Sequence, residues 1–201
     1  MPDHDLKARH TRQMQRKKAV INASIAAAKH ERGLLLINTG NGKGKSSAAF
    51  GVLARAIGHG LRCAVIQFVK GRSDTGEEAF FKQSPLVHWH VTGVGFTWDT
   101  LDDERDRASV RSAWDLACAY LRDPNIALVI LDEFTYAIKC RWLSLDEVTP
   151  VLSGRPPMQH VVLTGRGAPD ALIQIADTVT EMNLKKHAFR AGVKAMRGIE
   201  W

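Results

Sequence analysis

Apolar residues in this chain gather into short runs separated by glycine-rich or charged punctuation. Leu34–Asn38, Cys63–Val69, Leu86–Val91, Ile126–Leu131, His160–Thr164 and Thr178–Met182 have the length and composition of strands. Helical spacing falls between them. Lys45–Ile57 is apolar on most sides and ends at Gly58-His59-Gly60, a plausible cap. A short helix carries Phe80 and Phe81, and Asp102–Arg122 sets Val110, Trp114, Ala117 and Leu121 on one face. Leu145–Leu152 and Ala171–Ala176 complete the set. Strands that are apolar throughout, rather than alternating, belong to a sheet covered on both faces. Their alternation with helices predicts an α/β fold, a mostly parallel sheet with helices on both sides.

The first residues follow another pattern. Arg9–Arg32 has no proline or glycine and is rich in alanine, with Met14, Ile21, Ile25 and Ala28 on one helical stripe. It reads as a basic amphipathic helix that needs a surface to lie against. The chain therefore divides into an N-terminal helical arm, residues 1–32, and an α/β domain, residues 33–201.

Composition narrows the class. With 201 residues, 45% hydrophobic and 24% charged, the chain can bury the core of one domain. No apolar run approaches the roughly 18 residues a membrane span requires, and Asp3 and Asp5 interrupt the basic N-terminus, so a secretory signal is not expected. Cys63, Cys118 and Cys140 are odd in number and widely spaced. Buried thiols in a reducing compartment account for them, and a cytoplasmic location without membrane contact is expected. The net charge of +7 is uneven: residues 1–32 hold eight Lys/Arg against three Asp/Glu, and the rest 20 against 18. The basic signal belongs to the arm. A nucleic-acid contact, a solvated helix and a segment folding over an anionic ligand all remain open for it.

The richest chemistry lies in Thr39-Gly40-Asn41-Gly42-Lys43-Gly44-Lys45-Ser46-Ser47, between an apolar strand and a helix. Glycines let backbone N–H groups converge on phosphate oxygens, Lys45 adds charge, and a serine hydroxyl can ligate Mg²⁺. The common phosphate-loop spacing requires glycine at Thr39, whereas the first glycine here is Gly40. The loop is one residue tighter than usual. Other punctuation also follows strands and should share its rim, where ligands of such sheets bind. It comprises Lys70-Gly71, the Phe96-Thr97-Trp98 loop, Asp132-Glu133 and Arg166. Asp132-Glu133, after a strand of aliphatics, has the form of a Mg²⁺-associated acidic pair, with a solvated strand end as the simpler reading. Loop aromatics such as Phe96 and Trp98 often only pin a loop, yet beside a nucleotide site they also suit a flat apolar ligand. His88 and His90 share a strand face, but with no third ligand nearby a structural role is expected. No Ser-His-Asp order, CxxC or EF-hand pattern stands out.

Seven segments together resemble the P-loop-type ATP:corrinoid adenosyltransferases. They are Gly33–Ser47, Gln67–Gly71, Gly95–Trp98, Leu131–Glu133, Thr164–Gly167, and Lys186–Phe189 with Gly198–Glu200. They run in family order along nearly the whole chain, arm included, and the tight glycine loop is itself a family feature. Departures are small: Ser46-Ser47 stands where some members have two threonines, and Phe134 where leucine is frequent.

The resemblance implies a P-loop NTPase, RecA-like architecture. It also implies transfer of the 5′-deoxyadenosyl group of ATP to a Co(I) corrinoid with release of triphosphate. Thr39 to Ser47 and Arg166 would bind ATP, held in reverse sense across the loop; Ser46, Asp132 and Glu133 would hold Mg²⁺. Phe96 and Trp98 would crowd the lower face of the corrin and exclude an axial ligand, easing reduction of Co(II). Lys45, Phe96 and Trp98 are thus the expected catalytic residues, with Lys70 a further rim candidate. A flavin-dependent reductase would supply electrons, the enzyme would be a homodimer, and the arm would fold over the site as a lid. The competing readings are a P-loop ATPase acting on nucleic acid through the basic arm, and a non-catalytic nucleotide-binding module.

Overall fold

Strand pairing organises the molecule. The computed structural model describes residues 2–69, 74–92 and 103–200. They divide into two units, Met1–Arg32 and Gly33–Trp201. In the second unit the strands are β1 (Leu35–Thr39), β2 (Cys63–Gln67), β3 (Val87–Val91), β4 (Leu128–Asp132), β5 (His160–Thr164) and β6 (Thr178–Glu181). They form one sheet in the order β3-β2-β4-β5-β1-β6, and every pair is parallel. This is the α/β, P-loop NTPase-like architecture expected. β5 lies between β1, which leads into the glycine loop, and β4, which carries the acidic pair.

Period-two geometry explains why the central strands are apolar on both faces. Along β2, Cys63 and Val65 face one cluster while Ala64 and Ile66 face the other. The first cluster packs against α2 (Lys45–Gly58) through Ala49, Phe50, Leu53 and Ala56, and against Phe81 of α3 (Gly76–Phe81). The opposite cluster takes Val110, Trp114, Ala117 and Leu121 of α4 (Asp103–Arg122), with Val148 and Leu152 of α6 (Leu145–Ser153). α5 (Phe134–Lys139) and α7 (Asp170–Ile175) complete the helices, and Ala188–Ala191 is a turn of 3-10 helix. Local chemistry marks several starts. Ser144 and Glu147 form a reciprocal capping box on α6, and Thr75 caps α3.

Some boundaries differ from expectation. β2 stops at Gln67: Phe68 N–H still donates to Asp132 O at 2.9 Å, but Val69, buried like Phe68, turns to φ +61°. β4 begins at Leu128 and includes Asp132. α5 was not foreseen: Phe-Thr-Tyr-Ala-Ile-Lys is a weak helix former, and it is helical here because Phe134, Thr135 and Ala137 are buried. The arm helix α1 spans Pro2–Ala27 instead of Arg9–Arg32. Beyond it the chain is drawn toward the sheet, with Gly33 N–H donating to Pro157 O at 2.6 Å. No residue of α1 whose side chain is described is buried, Met14, Ile21 and Ile25 included.

Two glycines give a matched test of packing. A Cβ on Gly33 would stand 2.0 Å from Gln159 O, whereas one on Gly51, inside α2, would meet nothing within 4 Å. Gly33→Ala should destabilise by about 1–3 kcal/mol through overpacking, and Gly51→Ala should stabilise by roughly 0.5–1 kcal/mol through helix propensity. Urea unfolding midpoints of the two variants should therefore move in opposite directions; shifts of the same sign would contradict this packing.

Candidate active site

The carboxyl ends of β1, β2, β4 and β5 lie side by side along one rim. After β1 the chain turns through Gly40 (φ +95°) and Gly44 (φ +106°), in the left-handed region where glycine carries no side-chain penalty. The tight loop is braced from behind. Gly42 N–H donates to Met182 O at 2.6 Å, and Met182 N–H donates to Thr39 O at 2.8 Å. A Cβ on Gly40 or Gly42 would come within 2.5 or 2.7 Å of the same carbonyl oxygen. Gly44 precedes α2 without any side-chain cap, leaving the first N–H groups of that helix to other acceptors.

Lys45 opens α2 and is buried. Its Nζ donates to Gly40 O at 2.9 Å and Gly42 O at 2.6 Å, tying the two sides of the loop together. Burial holds its pKa below the usual lysine range; the Glu133 carboxylate opposes this, while Arg166 and Lys43 add to it. A polyanion here would favour the charged ammonium.

A cavity of about 340 Å³ opens on the loop, within the range of small-ligand pockets. Gly42 to Ser47 form one wall, Gln67, Glu133 and Arg166 the sheet edge, and Thr75 and Glu77 the start of α3. Ile199 and Glu200 close the remaining side. Three cations, Lys43, Lys45 and Arg166, thus meet three carboxylates, Glu77, Glu133 and Glu200. Lys43 and Glu200 form an ion pair.

The loop after β5 is braced as well. Thr135 Oγ1 donates to Arg166 O at 3.0 Å, and Ala168 N–H donates to Thr39 Oγ1 at 3.1 Å. A Cβ on Gly165 would stand 2.1 Å from Thr135 Oγ1, so glycine permits this approach. After β4, Glu133 adopts φ +57°, a conformation costing a non-glycine residue about 1–2 kcal/mol. Its N–H donates to Thr164 Oγ1 at 2.9 Å. Asp132 is fully buried; its Oδ1 accepts from Thr164 Oγ1 at 2.6 Å and its Oδ2 from Gln67 Nε2 at 2.9 Å.

The expected site residues therefore fall into groups. Gly42, Lys43, Gly44, Lys45, Ser46, Ser47, Glu133 and Arg166 line one cavity. Thr39, Gly40 and Asp132 stand behind it as supports, and Asn41 is exposed on the loop. Lys70, Phe96 and Trp98 lie outside the described residues. His90 Nε2 sits 2.8 Å from Tyr120 OH, and both His88 and His90 have ring centroids 5.5 Å from that ring. Burial, then His88 and Lys82, lowers the His90 pKa. Among the described residues no group of three or more His, Cys, Asp or Glu could hold a metal by itself. The donors facing the cavity, the Ser46 hydroxyl and the Glu133 carboxylate, are hard oxygens suited to Mg²⁺, which takes its other ligands from phosphate and water.

Gln67, Ile199, Glu200 and Met182 had no assigned part in the sequence reading. Gln67 and Gly198–Glu200 belong to matching motifs, which was their only signal. Met182 acts through its backbone and left none.

Comparison with known proteins places the chain in a family. The family described as ATP:corrinoid adenosyltransferase BtuR/CobO/CobP matches residues 31–201. A corrinoid adenosyltransferase of Pseudomonas aeruginosa is 55% identical over 194 residues, covering 96% of this chain and 96% of that protein. One from Sinorhizobium is 44% identical over 197 residues, covering 96% of this chain and 92% of that protein. A corrinoid adenosyltransferase CobA of Salmonella typhimurium is 42% identical over 193 residues, covering 96% and 98%. With the match reaching from the end of the arm through the rim loops to the last residues, this chain belongs to the ATP:corrinoid adenosyltransferase family.

Proposed function

We propose that this chain transfers the 5′-deoxyadenosyl group of ATP to the cobalt of a Co(I) corrinoid and releases inorganic triphosphate. The observation that carries this reading is the shortened, braced glycine loop lining a cavity with Lys43, Lys45 and Arg166. Such a cradle suits a triphosphate held whole as a leaving group. In the transfer the cobalt(I) electron pair forms the Co–C5′ bond. The C5′–O5′ bond breaks, its electron pair stays on the triphosphate oxygen, and cobalt becomes formally Co(III). No phosphoanhydride bond is cleaved, so the protein needs neither a nucleophile nor a base that activates water. Its work is to orient C5′ and to stabilise charge growing on the leaving oxygen.

The cavity residues suit that work. Loop N–H groups and the α2 N-terminus would bind phosphate oxygens, Lys45 would exchange loop carbonyls for phosphate, and Lys43 and Arg166 would add charge from either side. Ser46 and Glu133 would hold Mg²⁺, with Asp132 oriented behind them; when bound, the ion neutralises triphosphate charge. Phe96 and Trp98 are assigned the corrin face by resemblance, and Lys70 remains a rim candidate. The same resemblance supports a flavin-dependent reductase as electron source, a homodimer, a cytoplasmic location and a lid role for the arm. The nucleic-acid ATPase reading finds no support in the three relatives named above.

Incubation with Mg-ATP and chemically reduced cobalamin tests the reaction directly. The expected products are adenosylcobalamin and triphosphate in equal amounts; ADP and phosphate would overturn the proposal. Lys45→Ala should lower kcat/KM by on the order of 100-fold or more, the scale of a removed charge-stabilising donor. Steady-state kinetics with pre-reduced corrinoid measure this, and unchanged turnover would remove the loop from catalysis. Trp98→Ala should reduce turnover from Co(II) with a reductase far more than turnover from supplied Co(I). Equal losses in the two assays would contradict a role in excluding the axial ligand.

A further inference from the structure

One buried group at the site has no part in the scheme above. Gln67 ends β2 directly opposite Asp132 on β4, and it is 1% exposed although it lines the cavity. Its amide orientation follows from its partner. A carboxylate oxygen only accepts, so the group 2.9 Å from Asp132 Oδ2 must be the donor Nε2. That leaves Oε1 as an acceptor, and it is buried with no hydrogen-bond partner among the described residues. Buried polar atoms in native proteins are nearly always satisfied, by protein or by ordered water.

Asp132 is gripped from its other side by Thr164, which itself accepts from the Glu133 N–H. A continuous hydrogen-bonded chain thus runs Glu133, Thr164, Asp132, Gln67 across the ends of β5, β4 and β2. At one end the chain holds the backbone of Glu133, a residue that lines the cavity; at the other is an acceptor with capacity to spare. Hydrated Mg²⁺ keeps several of its waters when it binds phosphates, and those polarised waters are strong donors that require acceptors.

Resting on the Mg-ATP reading of this cavity, we propose that Gln67 is a positioning residue for the metal–nucleotide complex. Its Nε2 fixes the rotamer of Asp132, and its Oε1 accepts a hydrogen bond from a metal-bound water. Gln67 touches neither C5′ nor cobalt in this scheme. It sets the hydration geometry of the ion, in the manner of outer-shell partners whose loss weakens metal binding about 10–100-fold.

Binding can be measured without turnover, because ATP is not consumed when corrinoid is absent. Calorimetric titration of ATP, in Mg²⁺ and in EDTA, should show that the wild type prefers Mg-ATP. Gln67→Met keeps the side-chain volume and removes both polar atoms. It should lower that preference about tenfold while leaving metal-free ATP affinity within about twofold. Equal losses with and without Mg²⁺ would assign Gln67 to packing alone, and an intact preference would also overturn the proposal. Gln67→Asn, which keeps the amide but shortens its reach, carries the same test if the Met variant does not fold. A wild type that binds ATP equally well with and without Mg²⁺ would defeat the metal reading itself. A Mg²⁺-dependent wild type with unaffected variants would defeat only the role of Gln67.

Discussion

Parallel strand pairing is the constraint on which this protein depends. Six strands running in one direction leave their carboxyl ends on one edge of the sheet. Residues as distant in the chain as Lys45, Gln67, Glu133 and Arg166 therefore meet around one cavity. The central strands β2, β4 and β5 bury both faces, so their register is set by two apolar clusters at once, and a slip by one residue would exchange them. The rim groups consequently stand on a rigid support.

That support is extended by backbone braces rather than by long side chains. Met182 holds the glycine loop from behind, Thr39 accepts from the Arg166 loop, and Thr135 closes on Gly165. These contacts tolerate little added bulk, which ties several glycines to sterics as much as to turn conformation. They also fix where positive charge can stand. Lys45 is buried against its own loop carbonyls, and Lys43, exposed on the loop, is ion-paired with Glu200. A triphosphate must compete with these partners, so its binding free energy is a difference between two hydrogen-bonded arrangements rather than a gain from unpaired cations.

Much of this was legible beforehand, for identifiable reasons. The strands announced themselves because burial on both faces demands unbroken apolar runs, and Gly40 to Ser47 because phosphate cradles tolerate few other residue types. α5 was hidden because its sequence has no helical preference and is held by the burial of Phe134, Thr135 and Ala137. Gln67 was visible as a motif member, but a glutamine at a strand end carries no sign of whether it faces solvent or a carboxylate. Glu200 was equally silent, since an acidic residue near the end of a chain is ordinarily solvated.

The sequence by itself determined the fold class, the strand-end loops that share one rim and, through resemblance in seven ordered segments, the family. Those properties depend on local patterning and on residue types that few alternatives can replace. The tertiary structure alone decided which predicted groups face the cavity and which stand behind it. It made Glu133 a lining residue and Asp132 a buried support, and it joined Gln67 to Thr164 across three strands. The physical reason is that such contacts arise from strand order, and strand order places together residues that chain distance gives no reason to pair.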